Sequence, residues 1–261
     1  MIRVNKDGQN EIALVNIFKA VQGEGPEAGL GSTVFIRVHK CNLRCPWCDT
    51  KESWTEENLI NLYEDRISWK EPYLWMTALD IFKKVEELES NFINKSICLT
   101  GGEPLMEENK EFMINELLPL FNNSNYSIDI ETNGAIDYSD YKKHFDNCEI
   151  LDPEGHRKGV YFSMDWKLPA SKMNHKMIEK NLYLLNHYDI LKVVITDDEA
   201  DWKELERLLT LNINCPIYIS PCFSKVDTTR LPQFILDHPN NNLKVQVQLH
   251  KIFYDPLTKD V

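Results

Sequence analysis

The sequence has no run of about 18 consecutive apolar residues, the length a membrane-crossing helix needs. Its opening, MIRVNKDGQNEIALVNIFKAV, has no long apolar run after its first charges, as a signal peptide would have. Neither a membrane nor export is implied, and the expected compartment is the cytoplasm. An excess of positive charge is also missing. Against 29 basic side chains stand 41 acidic ones, a formal net charge of −12. That balance opposes nonspecific binding to nucleic acid or to an anionic membrane, where attraction to phosphate dominates. No Gly-, Ser- or Pro-rich linker, repeat or low-complexity tract interrupts the chain. Residues 1–261 therefore read as a single domain, a length ordinary for one α/β barrel. A disulfide framework is excluded as well: seven cysteines is an odd count, and Cys98, Cys148, Cys215 and Cys222 are scattered. Cys98, inside the apolar run SICLT, reads as core, and Cys215 and Cys222 read as packing residues.

What is present is an alternation of strand and helix signals in a chain that is 43% hydrophobic. TVFIRVHK (33–40) predicts a strand. A helix over 77–89 opens on TALD, with Thr77 as N-cap and Asp80 reaching back. Strands follow at 96–100, 126–132, 159–167, 190–196, 216–220 and 243–253. Helices are predicted between them at 109–121, 176–187, 198–210 and 229–238. Strands alternating with helices, several almost wholly apolar, imply parallel βαβ units. The fold class is therefore α/β, a partial (β/α)6-type TIM barrel. Residues 51–75, charged and aromatic, break the rhythm and read as an insertion after the first loop, over one mouth of the barrel.

That first loop is CNLRCPWCDT, which places Cys41, Cys45 and Cys48 at spacings of four and three. Thiolates in a reducing compartment bind zinc or iron–sulfur clusters. Structural zinc wants four ligands, and the nearest fourth candidate, His39, alternates with apolar strand residues and reads as structural. A cube of four irons held by three cysteines leaves one iron open to a substrate or cofactor. The loop follows the first strand, at the mouth where α/β barrels keep their active sites.

The spacing C-x3-C-x2-C, with Trp47 before the last cysteine, resembles the radical S-adenosylmethionine superfamily. GGEPL (101–105) stands where that superfamily carries its glycine-rich turn; two glycines permit close backbone approach to a ligand, and Glu103 would offset an ammonium. FKAVQGEGPEAG, VFIRVHKCNLRCPWCDT, DIETNG, DWKLPASKM and QLHKIF together resemble the 7-carboxy-7-deazaguanine synthase family, from Phe18 to about Tyr254. The chain departs from that pattern in the length of the 51–75 insertion, in DWK where many relatives have Ser-Pro-Lys, and in a slightly longer tail after His250.

The resemblance implies a 4Fe–4S cluster on Cys41, Cys45 and Cys48, with S-adenosylmethionine (SAM) on the open iron. Trp47, Cys48, Asp49, Gly102, Glu103, Asn133, Asp165, Trp166 and Lys167 would contact SAM. It implies a small-molecule substrate, 6-carboxy-5,6,7,8-tetrahydropterin, whose radical ring contraction releases ammonia and forms 7-carboxy-7-deazaguanine for queuosine and 7-deazapurine synthesis. Val21, Gln22, Gly23, Glu24, Arg37, Thr100, Gln248 and His250 would hold it, with Arg37 matching the carboxylate in bidentate fashion. Thr50 would ligate a Mg²⁺ ion that also holds substrate. A flavodoxin- or ferredoxin-type reductant and a homodimer are implied too. Two other readings stay open here: an activating enzyme that makes a glycyl radical on a partner protein, and a zinc- or cluster-binding interaction module without catalysis.

Overall fold

The computed structural model describes residues 1–25, 31–54, 73–89, 95–145, 158–239, 242–255, 258 and 260. Its centre is a ten-stranded sheet. The strands are β1 (Ile2–Val4), β2 (Asn10–Gln22), β3 (Gly31–Val38), β4 (Leu74–Met76), β5 (Ser96–Gly101), β6 (Ser127–Thr132), β7 (Gly159–Trp166), β8 (Ile190–Ile195), β9 (Ile217–Pro221) and β10 (Leu243–Val245). Neighbours run in the order β1-β2-β3-β5-β6-β7-β8-β9-β10, and β4 pairs with β2. From β3 to β10 every pairing is parallel. β2 pairs antiparallel with β1, β3 and β4.

The parallel strands have two unlike faces. Val34, Ile36, Val38, Ile97, Leu99, Ile128, Ile130, Leu191, Val193 and Ile219 are buried in one apolar core. Helices Ala78–Glu89, Ser139–Phe145 and Glu199–Leu209 add Ile81, Tyr141 and Leu205 to it. The alternate residues Arg37, Thr100, Asp129, Glu131, Ser163, Asp165 and Lys192 lie on the opposite face. The two ends of the sheet path meet over this polar face. Gln246, just past β10, donates to the Gly25 carbonyl at 3.4 Å, and a Cβ on Gly23 would lie 3.1 Å from Leu249. The turn after β2 thus lies over the carboxyl ends of the parallel strands.

The predicted βα alternation is present, with several corrections. β2 was not foreseen as a strand, so Val21 and Gln22 end a strand rather than sit in a loop. The predicted 51–75 insertion gives up its last residues to β4; residues 55–72 lie outside the described residues. Thr77 does cap its helix: its hydroxyl accepts from the Asp80 N–H at 3.1 Å and donates to the Asp80 carboxylate at 2.7 Å. The helix predicted over 109–121 exists but contains a π-turn at Met113–Leu117 just before Pro119, whose missing N–H breaks the regular ladder. The helix predicted over 176–187 is replaced by 3₁₀ turns at Asn174–Lys176 and Glu179–Leu184. There the amides of Asn174 and Asn181 bond the carbonyls of Lys167, Gly134 and Ile136, tying the segment to the loops beside it. The helix Ser139–Phe145 went unread. The last strand stops at Val245 and is followed by a short helix, His250–Phe253, because β10 is an edge whose alternation has no further neighbour to bond. Among the described residues, no helix is long and apolar enough to cross a membrane.

A buried ion pair ties the helix layer to the sheet. Lys142 pairs with Asp189, and their side chains are 6% and 1% exposed. The same carboxylate accepts from the N–H groups of Phe162 (2.9 Å) and Asn186 (2.8 Å). Removing one partner strands the other charge in the core. Asp189→Ala should therefore lower stability by about 3–5 kcal/mol, read as a fall in the midpoint of chemical denaturation. Lys142→Met should cost less, since Asp189 keeps its two backbone donors.

Candidate functional site

β3 and β5 deliver two loops to the same end of the sheet, and those loops are joined backbone to backbone. After Val38 the chain turns at Lys40, which takes a left-handed φ of 84°. Gly102 N–H donates to the Val38 carbonyl at 2.9 Å, and Glu103 N–H to the Lys40 carbonyl at 2.8 Å. A Cβ on Gly102 would sit 1.9 Å from the Lys40 oxygen, so only glycine fits. Gly101 has a φ of +117° and the Val38 backbone 2.5 Å from where its Cβ would stand. The glycines expected to admit a ligand are therefore required first by the cysteine loop itself.

Glu103 has a structural part as well. It is fully buried, and its carboxylate accepts from Leu105 N–H (3.0 Å), the Thr132 hydroxyl (2.8 Å) and Asn133 N–H (2.7 Å). Burial pushes its pKa up to about 7 despite those three donors. It braces the GGEP turn against the end of β6. Asn133 extends the brace. Its amide donates to Asn42 at 2.7 Å and lies 3.6 Å from the Cys41 sulfur.

The three cysteines sit on this braced loop, partly exposed and free. Burial pushes the Cys41 thiol up to about 11 and raises Cys45 as well; the Leu43 N–H and Asn133 amide act against this at Cys41, and Lys167 does so at both. Donors aimed at sulfur suit a ligated thiolate. A closed tetrahedral zinc site wants four ligands, whereas an iron–sulfur cube can be held by three thiolates with one corner open, so the three-thiolate donor set fits the cube. Thr50 lies beside it, its hydroxyl 3.6 Å from the Cys48 sulfur, an oxygen suited to a hard cation.

Behind the loop, the polar face of the sheet forms a layer of charge. Arg37 and Thr100 are register partners on β3 and β5, and Thr100 donates to Glu131 on β6 at 2.7 Å. Asp165 and Lys192 are register partners on β7 and β8. Lys192 pairs with Glu24 and lies 3.8 Å from Glu131. Asp165 pairs with Lys167 at 2.8 Å. Burial alone would raise the Asp165 carboxyl, and Lys167 and Lys192 reverse this and hold it low. Asp129, below this layer, accepts from Ser163 (2.7 Å) and Gln22 (3.3 Å). Gly25 passes so close that a Cβ there would stand 2.4 Å from that carboxylate.

The remaining expected residues divide. Gln22, Gly23, Glu24, Arg37, Thr100, Asn133, Asp165 and Lys167 converge on the mouth. Arg37 pairs with Asp260 of the tail at 2.6 Å and stacks 4.8 Å over Phe18, so a carboxylate already stands on its guanidinium. Asp49 accepts from Gln248 at 3.4 Å, which places Gln248 at the mouth from a loop rather than a strand. Trp47 lies under Lys225, 5.4 Å away. Trp166 does not face the mouth: it is 3% exposed and donates to Glu204 on the helix Glu199–Leu209 at 2.9 Å, because strand alternation turns it away from Asp165. Val21 likewise points to the face opposite Gln22 and is 42% exposed. His250 lies in the short helix, not on a strand face shared with Gln248, and its side chain is outside the described residues. Lys192, Asp129 and Ser163 were missed. Their signal was available: polar residues alternating with apolar ones inside YSIDIET and GVYFSMDWK, and a lone lysine inside ILKVVIT, where a wholly apolar strand needs none.

Gly102→Ala should separate the two loops. After anaerobic reconstitution it should hold well under half of the wild-type iron and sulfide, whereas Trp166→Phe, changed on the far face, should hold the wild-type amount.

Residues 35–165 match the family model described as the radical SAM superfamily. A 7-carboxy-7-deazaguanine synthase from Clostridium acetobutylicum is 32% identical over 251 residues, covering 95% of this chain and 98% of that protein. One from Thermoplasma acidophilum is 29% identical over 241 residues, covering 92% and 96%. A crystal structure of QueE from Escherichia coli superposes with a TM-score of 0.61 over 91% of this chain and 95% of the other, at 22% identity, a likeness of fold. A braced three-cysteine loop at the carboxyl end of a parallel α/β sheet, in a chain matched along nearly its full length, places it: the protein belongs to the radical SAM superfamily and, within it, to the 7-carboxy-7-deazaguanine synthase family.

Proposed function

We propose that the chain is a 7-carboxy-7-deazaguanine synthase, a radical SAM lyase that contracts the ring of 6-carboxy-5,6,7,8-tetrahydropterin with loss of ammonia. The observation that carries this reading is the cysteine loop locked by Gly102, Glu103 and Asn133 above a mouth lined with charge. The family's cofactors are a 4Fe–4S cluster and SAM, with Mg²⁺ as a further ion. When bound, they supply the hydrogen-abstracting chemistry, and the chain's own side chains bind, orient and exclude water.

Cys41, Cys45 and Cys48 hold the cluster. Asp165 and Lys167, paired at 2.8 Å, stand on the cluster side of the mouth and suit the hydroxyl and carboxylate groups of SAM. Trp47 and Asp49, in the same loop, flank that side. Asn133 orients the loop through Cys41 and Asn42. On the substrate side, Arg37 suits an anionic carboxylate, which would take the place Asp260 occupies. Gln22, Gly23, Glu24 and Thr100 suit the donor–acceptor edge of a pterin, and Gln248 and His250 approach from the carboxyl-terminal segment. Thr50 would hold Mg²⁺ through its hydroxyl. By resemblance to the family, the proposal extends to a cytoplasmic enzyme that takes electrons from a flavodoxin- or ferredoxin-type protein and works as a homodimer.

The test is anaerobic turnover with 6-carboxytetrahydropterin, SAM, Mg²⁺ and a strong reductant. The expected result is ammonia and 7-carboxy-7-deazaguanine, identified by mass, with SAM unconsumed. Cys45→Ala should hold little iron and give no product. Intact clusters with SAM cleavage but no deazapurine would overturn the substrate assignment. One zinc per chain and no iron would overturn the enzyme class.

Chelation of Mg²⁺ and Thr50→Ala should act alike. Each should raise the KM for the pterin about tenfold or more, the loss of roughly one charge-assisted contact. Iron content and SAM binding, followed by equilibrium dialysis, should stay at wild-type levels.

A further inference from the structure

Lys192 has no role in the reading above, yet it is the most enclosed cation at the mouth, with its side chain 7% exposed. It stands in β8 between Leu191 and Val193, both fully buried on the other face. Three carboxylates face it from three elements: Glu24 in the turn after β2, Glu131 on β6 and Asp165 on β7. The ion pair is with the Glu24 Oε2, and Glu131 Oε1 is 3.8 Å away. Lys167 faces it from the loop after β7, Cys98 from β5, and Tyr218 is its register partner on β9.

A carboxylate accepts from two neighbouring N–H groups, as an aminopyrimidinone ring edge presents them, only if its two oxygens are held in line with that edge. Without a cation, Glu24, Glu131 and Asp165 would face one another as like charges in a poorly solvated cleft and push apart. Burial already pushes the Glu131 carboxyl up, with Lys192 opposing it. Lys192 is itself held charged, because Glu24, Glu131 and Asp165 outweigh its desolvation.

We propose that Lys192 is a positioning residue for substrate: through its ion pair it holds the Glu24 carboxylate aimed at the mouth, so that the site selects a ring edge bearing two adjacent N–H donors. This rests on the reading that Glu24 meets the pterin.

The experiment compares the reconstituted wild-type enzyme with Lys192→Gln, Lys192→Met and Lys192→Arg, following kcat and KM for the pterin. Iron content, SAM binding and the unfolding midpoint are measured alongside. Lys192→Gln can still donate to Glu24 but carries no charge, so it separates charge from packing if Lys192→Met fails to fold. The expected result is that Lys192→Gln raises KM roughly tenfold or more, with kcat within about threefold. Lys192→Arg should restore most of the KM. Wild-type turnover together with a Lys192→Gln KM equal to wild type would overturn this inference alone. A loss confined to kcat, with KM unmoved, would also overturn it. Failure of the wild-type enzyme itself to turn over the pterin would remove the parent reading and this inference with it.

Discussion

The contact on which the site depends is the approach of the Gly102 backbone to the Lys40 carbonyl. At that distance no side chain fits, and the two N–H···O bonds beside it join the loop after β5 to the loop after β3. A three-cysteine loop with few apolar anchors would otherwise sample many shapes. Fixing its first residue to a neighbouring loop removes that freedom before any metal arrives. The buried Glu103 carries the constraint one strand further, to Thr132 and Asn133, and Asn133 returns it to Cys41. Three successive strand ends therefore share one hydrogen-bonded unit. Its cost is a carboxylate in the core, which is tolerable because three donors meet it.

The second constraint is the division of the parallel strands into an apolar face and a charged one. Parallel sheets covered on both sides are usually apolar throughout. Here one face packs on helices and the other looks into the mouth, so strand alternation places charges at Glu131, Asp165 and Lys192 within reach of one another, with Arg37 on the same face of β3. These charges are paired, as buried charges must be. The pairing leaves a mouth with fixed charges and dipoles, a setting suited to orienting the bound cofactor and substrate.

Much of the fold was legible. Runs such as SICLT and ILKVVIT, each followed by a helical pattern, carried the parallel order, and the capping signal TALD placed a helix start correctly. Two kinds of element were not. β2 is an antiparallel addition ahead of the parallel strands, β4 joins it from a distant part of the chain, and LKVQVQ alternates like a strand but ends at an edge. In the site, motif position located the cysteines and the GGEP turn but misjudged directions. Trp166 is next to Asp165 in sequence and on the opposite face in space. The brace through Glu103 went unread because its donors, Thr132 and Asn133, belong to another strand.

By itself the sequence determined the cofactor chemistry, since three thiols at fixed spacing are a local property of one loop. It also determined the strand–helix rhythm, which comes from local hydrophobic period. Only the tertiary structure decided which charges meet. Glu24 and Lys192 are separated by most of the chain and are brought together because the turn after β2 lies over the ends of the parallel strands. Pairing of that kind depends on register and closure across the sheet, and no local pattern encodes it.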